Sequence, residues 1–238
     1  MKLWKKISVA VLTGVLAVGP VATIAPKEQI VTQAAEAYTY KTVKNNQTFK
    51  GEGCTITVKN YYKRVVLSGS SSAVKSINKQ LKKYSDAFMA EPSGAVEYAK
   101  DDCKYRTYDE TYNDYVTQKV SYLSDGIVSI VTTWTWYAGG VGNTNICGYT
   151  FDLKTGKEIK KLTSVTKTTS LTKIKSTLTK KIEADPNNFD PSDLKDMKAT
   201  DFHFYINSKG KVVVCFGPYE LGWGGWTKKY TLSGKYES

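Results

Sequence analysis

Val74, Ile77, Leu81, Tyr84 and Phe88 recur at spacings of three and four, with lysines between them. That period puts the apolar side chains on one helical face and the lysines on the other. Serines 70 to 72 offer N-caps for this helix, and Glu91-Pro92-Ser93-Gly94 breaks it. A second run, Leu171, Ile174, Leu178 and Ile182, gives a helix over Ser170 to Asp185, which Asp185-Pro186 ends. Elsewhere the pattern is that of strands. Cys54 to Leu67 reads as a strand pair around Asn60, and further strands fall near Tyr98 to Tyr108, Tyr115 to Leu123 and Ile127 to Tyr137. Ser124-Asp125-Gly126 is the turn between the last two. Ile146 to Leu153 closes at Lys154-Thr155-Gly156-Lys157. Phe202 to Ile206 and Val212 to Phe216 form a hairpin across Ser208-Lys209-Gly210, and Thr227 to Leu232 is the last strand. Residues 38 to 50 are polar and read as irregular, and Asn187 to Thr200 as a loop or short turn of helix.

Strands before and after each helix, joined mostly by tight turns, predict an α+β fold. Its sheet is largely antiparallel with two main helices packed on it, divided into two small modules. No internal repeat is evident.

Two stretches match each other in style. Trp134 to Ile159 reads WTWYAGGVGNTNICGYTFDLKTGKEI, and Phe204 to Gly222 reads FYINSKGKVVVCFGPYELG. Both combine apolar strands, a glycine-containing corner and a hairpin marked by Lys-Thr-Gly or Ser-Lys-Gly. Together they resemble an extracytoplasmic domain of unknown function. That domain occurs in RsiV-type lysozyme-sensing anti-sigma factors and ahead of the catalytic domain of PdaC-type polysaccharide deacetylases. The aromatic plus Gly-Gly corner, the Phe-Asp-Leu-x-x-Gly-Lys hairpin and the Pro-Tyr-Glu after the last apolar strand carry the likeness. It implies a core domain over residues 116–238 and, over residues 38–115, the companion domain that precedes it. One departure stands out. Relatives continue Gly-Gly-Ala-His-Gly-Asn where this chain has Gly139-Gly140-Val141-Gly142-Asn143, so a role of that histidine does not carry over.

The N-terminus has its own layout: Lys2, Lys5 and Lys6, an apolar run from Ile7, Gly19-Pro20, then Ala35-Glu36-Ala37. This is the plan of a secretory signal peptide over residues 1–37. If uncleaved, Ile7 to Ala25 approaches the ~20 residues that span a bilayer, and the only membrane contact would be through this segment. No deacetylase domain is expected after the last strand. With six residues ahead of the apolar segment, no sigma-binding portion is expected there either.

The full chain carries 34 basic and 22 acidic residues, a net charge of +12. Without residues 1–37 it loses four lysines and two glutamates, leaving a net charge of +10. Such a balance favours anionic neighbours, among them wall polymers, while export and the lack of a recognition motif argue against nucleic acid. The same charge tells against a lysozyme partner. Lysozymes are basic, and like charges lose long-range steering. Cys54, Cys103, Cys147 and Cys215 make an even set in an exported chain, which suggests two disulfides. Sequence does not choose among the three connectivities. Pairing Cys54 with Cys103 and Cys147 with Cys215 keeps each bridge within one module, each contributing ~2–4 kcal/mol.

Candidate chemistry is sparse. His203 is the one histidine, and alternation points it away from Phe202, Phe204 and Ile206. That leaves no metal set of histidines and no Gly-x-Ser-x-Gly elbow. Asp101-Asp102, Asp109-Glu110 and Asp190 with Asp193 sit in polar stretches, where solvated acids are the usual occupants. Asp152 and Glu220 are expected to bond their own turns. No catalytic, metal or cofactor-binding residue is assigned. Aromatic residues gather near two glycine corners, so Tyr137, Gly139, Gly140, Asn143, Tyr219, Trp223 and Trp226 are the candidate ligand-binding residues. Trp134 and Trp136 share a strand face with Val128 and Ile130 and are read as core. The expected function is a secreted, non-enzymatic binding module of the bacterial cell envelope, with an anionic wall polymer, a glycan or an envelope protein as ligand. The rivals are a wall-glycan enzyme using a carboxylate pair, and a lysozyme-binding or inhibitory protein.

Overall fold

The computed structural model describes residues 38–187, 189–222, 227–232 and 236. The signal-peptide reading of residues 1–37 therefore lies outside the described residues. Cys54–Leu67 is one unbroken strand, not a pair. Two shorter strands, β1 (Tyr38–Lys44) and β2 (Gln47–Gly51), lie end to end along it, so the stretch expected to be irregular is paired. The long strand is β3. Its midpoint Asn60 holds the junction: Asn45 N donates to Asn60 O, and Asn60 N donates to Asn46 Oδ1 at 3.0 Å. The sequence disguised β1 because an edge strand exposes both faces and needs no alternation.

Helix α1 (Ser72–Ala90) follows, capped by Ser71, whose side chain accepts from Val74 N at 3.2 Å. Pro92 restricts the residue before it and stops the helix. The chain then forms a second helix, α2 (Gly94–Asp102), where a strand was expected over Tyr98 to Tyr108. Its buried face is small, Ala95, Val96 and Ala99, and so gave little hydropathy contrast. The two helices are the crossover that a parallel strand pair needs. They return the chain to β4 (Glu110–Ser124), which runs parallel to β3. Antiparallel β5 (Ile127–Ala138) and β6 (Val141–Asp152) complete the sheet, in the order β1-β3-β4-β5-β6 with β2 also on β3. Asp125 and Gly126 turn the first hairpin with positive φ at both positions, and Gly139 and Gly140 turn the second in the same way. The boundary expected between residues 115 and 116 falls inside β4, so residues on both sides of it build one sheet.

Beyond β6, Asp152 Oδ1 accepts from Lys154 N and Thr155 N, each at 2.8 Å. The hairpin they form seats Gly156 on α1, where Gln80 Nε2 donates to Gly156 O at 2.8 Å. Helix α3 (Leu171–Glu183) buries Ile174, Leu178 and Ile182 against a second sheet. That sheet is β7 (His203–Ile206), β8 (Val212–Phe216) and β9 (Lys228–Thr231), all antiparallel. The two sheets meet through a buried polar link. Ile206 N donates to Ser129 Oγ at 2.9 Å, and Ser129 Oγ also lies 2.9 Å from Thr150 Oγ1. The fold is α+β and mostly antiparallel. Among the described residues no helix is long and apolar enough to cross a membrane.

Candidate functional site

Strand register lines up side chains from separate strands on the helix-covered face of the large sheet. One row is Asn60, Asp114, Trp136 and Asn143, and the next is Tyr62, Val116, Trp134 and Asn145. Helix α1 covers one end of this face, where Ile77 and Leu81 pack on Val128, Ile130 and Phe151. Helix α2 covers the other end, where Ala95 and Ala99 pack on Ile56, Val58 and Tyr112. The break at Pro92 leaves the middle rows uncovered. A cleft of about 260 Å³ lies there, lined by Asn60, Phe88, Glu91, Pro92, Gly94, Asp114, Trp134 and Trp136. A second lobe of about 180 Å³ shares Phe88 and Trp134 with it and continues toward Tyr62 and Tyr149.

Trp134 shares its face with Val128 and Ile130 as expected, but it is not core: 40% of it is exposed, because the helical cover ends before its row. Its Nε1 donates to Asp114 Oδ1 at 2.8 Å, which fixes the indole. Trp136 is half-buried and meets the Tyr98 ring edge-on at 6.0 Å. Asp114 and Asn60 are more than nine-tenths buried, and among the described residues Asn60 Oδ1 has no hydrogen-bond partner. In the second lobe Tyr84 stacks on Tyr149 at 4.6 Å, and Gln118 Nε2 donates to Tyr62 OH at 3.0 Å. Burial first of all raises the phenols of Tyr62, Tyr84 and Tyr149, so they stay protonated. The cleft offers ring faces, carboxylates and an amide, and among the described residues no histidine or cysteine lines its first lobe.

The residues singled out from sequence lie elsewhere. Gly139 and Gly140 form the β5–β6 turn. A side chain at Gly139 would collide with Arg106, Asp102 and Tyr112. Tyr137 OH donates to Glu110 Oε1 beside that turn. Asn143 belongs to the row of Asp114 and Trp136 but does not line the cleft. Tyr219 is 70% exposed in the connection after β8, and Trp223 and Trp226 lie outside the described residues. Glu220 accepts from Gly217 N at 2.8 Å, closing its own turn as expected. Five of the six paired carboxylates are engaged too. Arg106 Nε donates to Asp102 Oδ2 at 3.1 Å, Arg106 Nη1 meets Glu110 Oε2 at 3.0 Å, and Asp109 Oδ1 accepts from Thr55 N. Asp101 pairs with Lys104, and Asp190 caps Ser192 N. His203 is exposed on β7, and among the described residues no group of three or more His, Cys, Asp or Glu is placed to hold a metal.

The two disulfides expected are not formed, and all four cysteines are free thiols. Cys103 Sγ instead donates to Lys100 O at 3.3 Å, at the end of α2, although Cys54 shares its apolar cluster. Burial raises Cys147 to about 11 and, with the charge of Cys147 as second cause, Cys215 to about 12. A raised thiol holds less thiolate at neutral pH and reacts slowly. Iodoacetamide at about pH 8 is therefore expected to spare Cys147 and Cys215 in the folded chain, with labelling rising only as pH approaches those values. Mass spectrometry reads the count. The unfolded, unreduced chain should label all four, and fewer would reveal bridges.

The fold is similar to solved structures of DUF3298-family proteins. One from Bacteroides fragilis matches 86% of this chain and 96% of its own, with a TM-score of 0.52 and 14% identity. One from Pseudomonas aeruginosa matches 83% of this chain and 91% of its own, with a TM-score of 0.46 and 13% identity. No family model and no curated protein matches this chain.

Proposed function

We propose that this chain is a secreted, non-enzymatic binding module of the bacterial cell envelope whose cleft holds one sugar unit of a wall glycan. The exposed indole of Trp134, held in place by Asp114 at the floor of a groove, is the observation that carries this reading. A rigid aromatic face beside planar polar side chains suits a sugar ring, which has apolar C–H faces and hydroxyl edges. At about 260 Å³ the first lobe is smaller than pockets for drug-sized ligands and suits a single ring. The basic first segment, apolar run and small-residue cleavage signature support export. The loop carboxylates Asp102, Glu110 and Asp190 are held in ion pairs and a turn outside the cleft, and Asp114 within it is held by Trp134 Nε1.

Titration of the chain with soluble wall-glycan fragments, followed by tryptophan fluorescence and calorimetry, tests the reading. Trp134→Ala is expected to weaken binding about tenfold, the loss of one aromatic stacking partner. No new reducing ends should appear on prolonged incubation. Release of such ends, abolished by one carboxylate substitution, would establish the enzyme instead.

A further inference from the structure

We infer that the group this cleft selects is a primary ammonium on the bound ring, so that its preferred ligand is a de-N-acetylated amino sugar. This rests on the glycan reading above and adds to it the chemistry of the recognised substituent. The protein as a whole is strongly cationic, with a net charge of +12. The cleft reverses that sign locally. Its charged lining is Glu91 and Asp114, and among the described residues no lysine, arginine or histidine lines it. An anionic polymer unit would meet two carboxylates there and be repelled, whereas an ammonium would be attracted.

The apolar lining points the same way. Phe88, Trp134 and Trp136 offer ring faces, and an ammonium over an aromatic face gains from the ring quadrupole, indole most of all. Asp114 Oδ1 accepts from Trp134 Nε1, so carboxylate and ring are locked together. Asn60 is the independent sign of a missing partner: it is 5% exposed, lines the cleft, and its Oδ1 has no hydrogen bond among the described residues. A buried amide oxygen without a donor is costly. The terminal torsion of an asparagine is soft, so the amide can turn that oxygen toward a ligand donor. An ammonium brings three donors. A plain hydroxyl brings one donor and no charge. An N-acetyl group brings one N–H, no charge and added bulk to a cleft sized for one ring.

The test compares three tetrasaccharides with the same β-1,4 backbone: tetraglucosamine, tetra-N-acetylglucosamine and cellotetraose, which differ at C2. Calorimetry on the full chain is expected to give tetraglucosamine at least about tenfold tighter than both others, a margin of one cation–π contact with its ion pair. Such a preference runs against the net charge of the protein, so unspecific attraction does not explain it. Asp114→Asn should reduce the margin to about twofold or less. Because Asp114 also orients Trp134, Glu91→Gln at the exposed helix end provides a second variant, expected to narrow the margin without disturbing the fold. Equal or tighter binding of the N-acetylated sugar, or a margin unmoved by both variants, overturns the ammonium inference and leaves the glycan reading standing. Absence of binding by all three sinks both.

Discussion

Gly148→Ala is expected to destabilise the chain by about 3 kcal/mol, at the upper end of overpacking effects. A Cβ at Gly148 would fall 2.1 Å from Phe204 O and 2.7 Å from Tyr205 Cβ. The oxygen belongs to backbone, so no side chain can swing away. Neither strand is free to retreat. β6 is paired with β5 from Val141 to Asp152, and β7 is held by its ladder with β8 and by the bond from Ile206 N to Ser129 Oγ. The substitution must part the two sheets or bend one of them. A urea titration should show a lower midpoint with an unchanged slope. Gly94→Ala is the contrast. Its Cβ would meet only Trp136 Nε1, at an ordinary 3.7 Å, and removing a glycine from a helix start should be neutral or slightly stabilising. An unchanged midpoint for Gly148→Ala would mean that β7 does not lie against β6.

The same glycine shows where sequence reading stopped. A glycine inside a strand marks a close backbone approach, yet nothing in the chain says which backbone approaches. Long-period features were legible: α1, α3, β5 and the β7–β8 hairpin each bury a face whose spacing is set locally. β1 and β2 were not, since polar edge strands lack alternation, and Asn60 looked like a break although it sits mid-strand, bonded to Asn45 and Asn46 between them. The end of α2 was read as part of a strand because Tyr98, Tyr105 and Tyr108 outweigh its buried alanines. β1 and α2 are decided by residues outside their own stretch, whereas β2 pairs with β3 across the short turn at Glu52-Gly53.

The cleft was harder still to see. Alternation correctly put Trp134 and Trp136 with Val128 and Ile130, but alternation identifies a face and not where its cover ends. That limit is set by Glu91-Pro92-Ser93-Gly94, a breaker legible from the start, whose consequence for the sheet beneath depends on α1 and α2 landing at opposite ends. Asp114 offered a signal, since it occupies a buried-parity position between Tyr112 and Val116, where a carboxylate needs a partner. The glycine corner, by contrast, drew attention for its aromatics and is occupied by a hairpin turn over a polar cluster.

That polar cluster yields the other large effect. Tyr112→Ala is expected to cost about 4 kcal/mol, the usual loss for deleting a buried aromatic ring. The ring is fully buried on β4, meets Tyr137 edge-on at 6.0 Å and belongs to the core beneath α2. Its hydroxyl donates to Asp102 Oδ2, the same oxygen that accepts from Arg106 Nε. Tyr112→Phe keeps the ring and removes only that donor. Asp102 retains Arg106, so the expected cost is smaller, about 1–2 kcal/mol. The ratio of the two losses tells packing from hydrogen bonding at the joint between α2 and the β5–β6 turn. Equal losses would assign the stability of this joint to the hydroxyl. A negligible loss for alanine would mean that the aromatic core under α2 is not closed, in which case the cleft beside it would lose one of its walls.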